Sequence, residues 1–361
     1  MTFLPTNINS ISSESNVFAV FQNHFCEALH INHDLNSGLL SIIAIHNTRM
    51  GPALGGCRFI PYTSFDAAVV DAIRLAKGMS YKSAVANLPF GGGKAVIIRT
   101  PEIKDRMQLL AAFGKFVHSL GGRYITAEDS GTNVADMDVI RTLTPFVTGH
   151  TAQSFAIKDP SLLTALGVRC GIQAAVQKKY GLTSLAGLHV AIQGVGNVGY
   201  ALIKELLPLG VKITVSDINT DALARCATLG VNTTSIDNIH KIPCDIFSPC
   251  ALSNAINENN HHEIQAAIIA GSANNQLENR GLALKLKERD ILYAPDYVIN
   301  AGGLIHVTAQ YLNHNEATAK QKVMEIYHTL MMIFNESDKQ NTTTVAISDR
   351  IAEQRIYAGS A

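Results

Sequence analysis

The chain has no excess of charge, no long apolar run and no paired-cysteine motif, and each absence removes a class of function. Its 29 basic and 29 acidic side chains leave a formal net charge of zero, so nothing in the balance attracts nucleic acid or an anionic membrane surface. No apolar stretch approaches the ~20 residues needed to span a bilayer, and the polar start from Met1 to Ser15 lacks the basic-then-apolar layout of a secretory leader. The expectation is a soluble, cytoplasmic protein with neither nucleic acid nor membrane as partner. The six cysteines, Cys26, Cys57, Cys170, Cys226, Cys244 and Cys250, are scattered and form no C-x-x-C pair. That argues against a disulfide framework and a zinc site, and leaves them as buried small hydrophobes. Of 13 histidines only His261 and His262 are adjacent, in a polar Asn-rich stretch without the i, i+4 spacing of a helical metal site. No metal is expected.

What is present is enough apolar material for large cores: 47% hydrophobic against 16% charged residues over 361 positions. A chain of this length exceeds the usual domain of roughly 100–200 residues, so two α/β domains separated by a cleft are expected. In the first 145 residues, Ser64 to Lys77 reads as an amphipathic helix with Ser64 as N-cap and Gly78 as stop, followed by a glycine-rich loop. Ala95 to Ile98 is a strand candidate, Glu102 to Leu120 a helix, and Arg123 to Ala127 a strand ending at Glu128 and Asp129. From Ser161 the pattern alternates. A helix to about Tyr180, strand His189 to Gln193, helix Tyr200 to Leu207, strand Lys212 to Ser216 and helix Asp221 to Leu229 are the mark of a parallel sheet. Strand candidates at Asp245 to Ser248, Ala267 to Ala270 and Ile291 to Ala294 extend it, and helices at about Leu304 to Asn335 and Val345 to Tyr357 close the chain.

Gly194-Val195-Gly196-Asn197-Val198-Gly199 is G-x-G-x-x-G, a weak signal alone. Its setting strengthens it: an apolar strand precedes, a helix and a second strand follow, and Asp217 lies 18 residues after Gly199, near the spacing of a ribose ligand. Gly194 then allows a tight turn, Gly196 a close approach of backbone to pyrophosphate, and Gly199 close helix–strand packing, while the helix N-terminus offers N–H groups to the phosphates. Asp217 would accept from the ribose 2′-hydroxyl and repel a 2′-phosphate, favouring NAD over NADP.

Phe90-Gly91-Gly92-Gly93-Lys94-Ala95 is not a P-loop, because Leu88 and Ala95 stand where Gly and Ser/Thr are required. Three glycines before a lysine instead allow backbone to crowd a small ligand, and a lysine among apolar neighbours can act as a base. Lys82, twelve residues earlier, could fix a carboxylate, and Asp129 could organise the pair. The bland alternatives stay open at this point: lysines are usually solvated, and Asp129 could simply cap the next helix.

Gly51-Pro52-Ala53-Leu54-Gly55-Gly56, Lys77-Gly78-Met79-Ser80-Tyr81-Lys82, Gly91-Gly92-Gly93-Lys94 and Ala127-Glu128-Asp129 resemble the glutamate/leucine/phenylalanine/valine dehydrogenase family. The likeness continues through the cofactor motif, Ser248-Pro249-Cys250-Ala251-Leu252, Ala270 to Leu277 and Ala294 to Gly303, covering roughly Ile42 to Val307. The resemblance implies a substrate-binding, catalytic and oligomerisation domain over residues 1–147, with the last helix, about 338–361, a candidate to pack back on it, and a Rossmann-type NAD domain over 148–337. It implies NAD-dependent, reversible oxidative deamination of a branched-chain L-amino acid (leucine, also valine or isoleucine) to its 2-oxo acid and ammonium. Lys94 would be general base, Asp129 would assist proton transfer, and Lys82 would bind the substrate carboxylate. Leu54, Gly55 and Ala127 would line the substrate site, Asn274 and Asn300 would lie near substrate and nicotinamide ribose, and Ser161 and Thr164 would touch nicotinamide. A symmetric homo-oligomer is implied, an octamer being one size it allows. Alternatives are an aromatic or valine dehydrogenase, or a catalytically weak sensor of NAD or amino acids. Two departures stand out. Between Gly149 and Thr164 the family's glycine-rich run ending N-P-S-P-x-T is replaced by a stretch with Gln153-Ser154-Phe155-Ala156-Ile157 and Asp159-Pro160-Ser161-Leu162-Leu163-Thr164. Ser130 and Asn133 stand where Val and Thr are common.

Overall fold

The computed structural model describes residues 17–101, 103–152, 155, 159–251 and 253–358. The chain splits into two compact units, one of residues 1–83 and 89–153, the other of 84–88 and 154–361.

In the first unit, α1 (Val17–Asn23), β1 (Ala28–Asp34), β2 (Leu39–Asn47), β3 (Ala53–Ile60), α2 (Phe65–Val85), β4 (Gly91–Ile98), α3 (Arg106–Ser119), β5 (Tyr124–Glu128) and α4 (Val134–Arg141) follow in order. The sheet order is β1-β2-β4-β3-β5, with β3 parallel to β4 and β5, and β2 antiparallel to β1 and β4. Side-chain alternation sends the two faces of this sheet to different helices. Ile43, Ile45, Cys57, Phe59, Ala95 and Ile97 pack on Leu109, Phe113 and Val117 of α3 and Met137 and Ile140 of α4. Ile42, Ala44, Val96 and Ile98 pack on Ala68, Val69, Ala72, Ile73 and Ala76 of α2.

Two expectations fail here, both through glycine. Gly78 does not stop α2, which runs on to Val85; the following turns carry buried Ser80, Tyr81, Ala84 and Val85, and their burial outweighs a glycine penalty of about 1 kcal/mol. The glycine-rich segment is no loop: Gly91, Gly92 and Gly93 are the first residues of β4, fully buried. They are small because protein, not ligand, presses on them. A Cβ on Gly91 would stand 1.8 Å from the Asn47 carbonyl oxygen, on Gly92 2.0 Å from Ser80 N of α2, and on Gly93 2.7 Å from the Tyr124 ring. Helix α3 starts at Arg106, capped by Asp105; Glu102, its expected start, lies outside the described residues, as do Met1 to Ser15.

In the second unit, α5 (Pro160–Tyr180), β6 (His189–Gln193), α6 (Asn197–Leu206), β7 (Lys212–Ser216), α7 (Thr220–Ala227), β8 (Asn232–Thr233), β9 (Ile246–Pro249), β10 (Ile268–Ile269), α8 (Leu282–Glu288), β11 (Leu292–Tyr293), α9 (Asp296–Ile299), α10 (Gly302–Tyr311), α11 (Glu316–Lys339) and α12 (Thr344–Tyr357) succeed one another. Every pairing in its sheet is parallel, in the order β11-β10-β9-β6-β7-β8. This is the doubly wound dinucleotide-binding order, whose switch point falls between β6 and β9. Of the cysteines, Cys26, Cys57, Cys170 and Cys226 are buried, whereas Cys244 and Cys250 are partly exposed. Cys250 follows the end of β9, where strand gives way to loop. Among the described residues no helix is long and apolar enough to cross a membrane.

Candidate active site

Strand pairing sets Leu54 of β3 beside Gly92 and Ile125, Gly56 beside Ala127, and Arg58 beside Val96. Lys94 pairs with Ala44 of β2, so alternation puts Lys94, Leu54, Gly56, Arg58 and Ala127 on the face that α2 covers. Leu54 and Ala127 are buried, and Lys94 is 3% exposed. Lys82 lies half-buried on the last turn of α2.

A buried ammonium needs a counter-charge. Lys94 Nζ donates to Asp129 Oδ2 in a short ion pair. The other carboxylate oxygen accepts from Ser130 N at 2.7 Å and from Arg58 Nε at 3.3 Å. Burial pushes the Asp129 carboxyl up, but Lys94, Arg58 and the Ser130 N–H outweigh it and hold the carboxyl at about 2. The alternative that Asp129 caps the next helix is excluded: α4 is capped by Asn133 in a capping box with Asp136. Asp129 instead sits in a turn closed by Thr132 N to Asp129 O at 2.9 Å. The turn is pinned to β3 by Phe59 N to Ser130 O at 2.8 Å and by Thr132 Oγ1 to Cys57 O at 2.8 Å. Of these two substituted positions, Ser130 serves the turn through its backbone groups and Asn133 caps α4 with its side chain.

Gly56 and Arg58 escaped the sequence reading. A Cβ on Gly56 would fall 2.9 Å from Asp129 Oδ2, the oxygen that holds Lys94, so only glycine leaves room for the pair. Arg58 also donates from Nη1 to Asp71 Oδ2 at 2.8 Å, and Tyr62 Oη donates to that same oxygen at 2.6 Å. The available signal was alternation: Leu54, Gly56 and Arg58 share a face once β3 is recognised as a strand.

In the second unit the glycine motif has the geometry its spacing implied. Gly194 has φ +93° and a Cβ there would meet Ala251 Cβ at 2.7 Å; a Cβ on Gly199 would meet Gly194 O at 2.1 Å; around Gly196 the space is open. Gly196 also precedes α6 without a side chain to cap its first N–H groups, the arrangement that accepts phosphate. Asp217 follows β7 and accepts from Val195 N at 2.7 Å and Asn219 N at 2.8 Å, which ties the ribose-ligand candidate to the glycine-motif loop. Asn300 Nδ2 donates to Asn274 Oδ1 at 2.8 Å and Ser272 O at 3.0 Å, leaving its own buried Oδ1 without a partner among the described residues. Ser161 and Thr164 occupy the first turn of α5, capped by Asp159 with Pro160 at its start. A Cβ on Gly303 would approach Thr164 Oγ1 at 3.0 Å, so this turn adjoins the start of α10. Of the divergent segment before it, Gln153, Ser154 and Ala156 to Lys158 lie outside the described residues, as does Leu252. Among the described residues no group of three or more His, Cys, Asp or Glu could hold a metal.

Comparison with known proteins fits both units. Residues 27–145 match the Glu/Leu/Phe/Val dehydrogenase dimerisation domain, and residues 157–221 and 218–348 match the Glutamate/Leucine/Phenylalanine/Valine dehydrogenase domain. The chain is 44% identical over 341 residues to the leucine dehydrogenase of Geobacillus stearothermophilus, covering 94% of this chain and 93% of that one. To the valine dehydrogenase of Streptomyces virginiae it is 42% identical, covering 90% and 91%. The crystal structure of L-tryptophan dehydrogenase from Nostoc punctiforme superposes with a TM-score of 0.84 at 40% identity, covering 95% of this chain and 99% of that one. The chain belongs to the glutamate/leucine/phenylalanine/valine dehydrogenase family of NAD(P)-dependent amino-acid dehydrogenases.

Proposed function

We propose that the protein catalyses the reversible, NAD-dependent oxidative deamination of a branched-chain L-amino acid, leucine before valine or isoleucine, to the 2-oxo acid and ammonium. The observation that carries this reading is the buried Lys94–Asp129 pair on the α2 face of the first sheet, in a chain that also bears a complete dinucleotide loop. The bound dinucleotide supplies a hydride acceptor for the substrate Cα. Lys82 holds the substrate carboxylate, and Lys94, once deprotonated, takes a proton from the water that adds to the imine carbon. Asp129 returns protons through Lys94 and steadies the ammonium leaving group. Leu54 and Ala127 offer an aliphatic wall rather than a charged one, whereas Gly55, the alternate residue of β3, turns to the other face of the sheet. The likeness to a tryptophan dehydrogenase makes an aromatic substrate the second reading. The protein acts as a homo-oligomer assembled through its first domain, in the cytoplasm.

The deciding experiment is turnover of NAD with leucine, valine, isoleucine, phenylalanine and tryptophan at alkaline pH, followed by NADH absorbance. The highest kcat/KM is expected with leucine. Highest activity with phenylalanine or tryptophan would replace leucine by the aromatic reading, and NAD binding without turnover of any amino acid would replace the enzyme by a sensor.

Preference for NAD over NADP rests on Asp217, whose charge opposes a 2′-phosphate. Arg225 is close by, with its guanidinium 3.9 Å above the Tyr200 ring and 3.4 Å from Val195 O. Asp217→Ser is therefore expected to cut the NAD/NADP ratio of kcat/KM by at least tenfold, about 1.4 kcal/mol; an unchanged ratio would remove Asp217 from this role.

A further inference from the structure

Beyond the residues to which the proposed mechanism gives a role, Asp129 has a second cation. Arg58 Nε stands 3.3 Å from Asp129 Oδ1, and the opposite edge of the guanidinium is held 2.8 Å from Asp71 Oδ2. That oxygen is fixed in turn by the Tyr62 hydroxyl at 2.6 Å. Asp71 belongs to α2, the helix that carries Lys82 about three turns further on. A guanidinium clamped from behind by one carboxylate can lend only part of its charge to another, so this chain of charges sets how strongly Asp129 is occupied on its far side.

We propose that Arg58, anchored by Asp71, is a positioning residue that shares the Asp129 carboxylate and thereby loosens its hold on the Lys94 proton. The inference rests on the reading of Lys94 as base. Coulomb's law fixes the signs: a second cation on Asp129 weakens its pull on Lys94 and repels the ammonium directly, while Asp71 moderates both effects. The surrounding charges are few. Arg58 comes from β3, Asp71 and Lys82 from α2, and Tyr62 from the segment between them. On β2, His46 is driven down to about 4 by burial and by Lys77. On the opposite face of the sheet, Arg106 and Asp136 pair with each other, and burial pushes the Cys57 thiol far up.

The test is the pH dependence of kcat/KM for the preferred amino acid with NAD, in the parent, R58Q, R58K and D71N, with NADH binding as the check on folding. R58Q should move the acidic limb to higher pH by roughly half to one unit, R58K should restore most of that shift, and D71N should move the limb to lower pH. Residues with a merely structural role would lower kcat without moving the limb. Limbs coincident with the parent's in both R58Q and D71N would overturn the proposal. Should R58Q fail to fold, D71N and R58K carry the test, and a D71N limb unmoved from the parent's would then overturn the proposal. Failure of the underlying reading looks different: K94A would retain near-parent turnover, whatever R58Q does.

Discussion

Placing Lys94 and Asp129 out of water costs several kcal/mol per ion, so neither is tolerated without the other. The Asp129 carboxyl sits at about 2 against an ordinary 3.8; the unfolded chain therefore binds this proton more readily than the folded one. The pair's contribution is fully present above about pH 4 and is lost as pH falls toward about 2. The shift corresponds to roughly 2 kcal/mol. Urea unfolding of the parent and Asp129→Asn between pH 2 and 5 should show a stability gap that narrows on acidification; a gap independent of pH would mean that the pair contributes no proton-linked stability. At this scale the sequence exposed the charged partners but not the space they need. Lys94 and Asp129 stand in motifs with chemistry of their own, whereas Gly56 is legible only after β3 is laid beside β5 and the missing Cβ is seen to clear Asp129 Oδ2. Arg58 was hidden for a related reason, since β3 is buried nearly throughout and its alternation is muted.

Elements of the second unit were easier to read than those of the first. Strands β6 and β7 fall where alternating apolar segments put them, because a parallel sheet covered on both faces leaves short, uniformly apolar runs between glycine turns. The first unit reverses the usual meaning of glycine. Gly91 to Gly93 are strand residues squeezed by α2, β2 and Tyr124, and β1 to β3, which no periodicity signal announced, are organised by a short hairpin between β1 and β2 and by the parallel pairing of β3 with β4 and β5 beyond the intervening helices. Gly78 lies inside α2 with nothing within 4 Å of a Cβ placed there, so neither packing nor backbone conformation requires it. Gly78→Ala should stabilise the helix by about 0.5–1 kcal/mol, read as a higher denaturation midpoint with kcat preserved. A lower midpoint would show that Gly78 answers a constraint other than helix propensity.

For the whole molecule the proposed chemistry is divided by unit: the Lys94–Asp129 pair and Lys82 belong to one, the glycine-motif loop and Asp217 to the other. Each set is held by its own local packing, so damage to one should leave the other's ligand affinity intact. Lys94→Ala removes the proposed proton acceptor without touching β6 or α6; kcat should fall by two orders of magnitude or more, while the NADH dissociation constant stays within about twofold. Gly194→Ala acts in the opposite sense. Its backbone φ of +93° disfavours any side chain, and the added Cβ would press on Ala251 at 2.7 Å, displacing the loop that Asp217 anchors through Val195 N. NADH affinity should then drop at least tenfold, about 1.4 kcal/mol, with unfolding of the first unit unaffected. Fluorescence titration of NADH against both variants checks the pair of outcomes, and a Lys94→Ala protein that loses NADH binding as severely as Gly194→Ala would show that the two units do not keep their ligands independently.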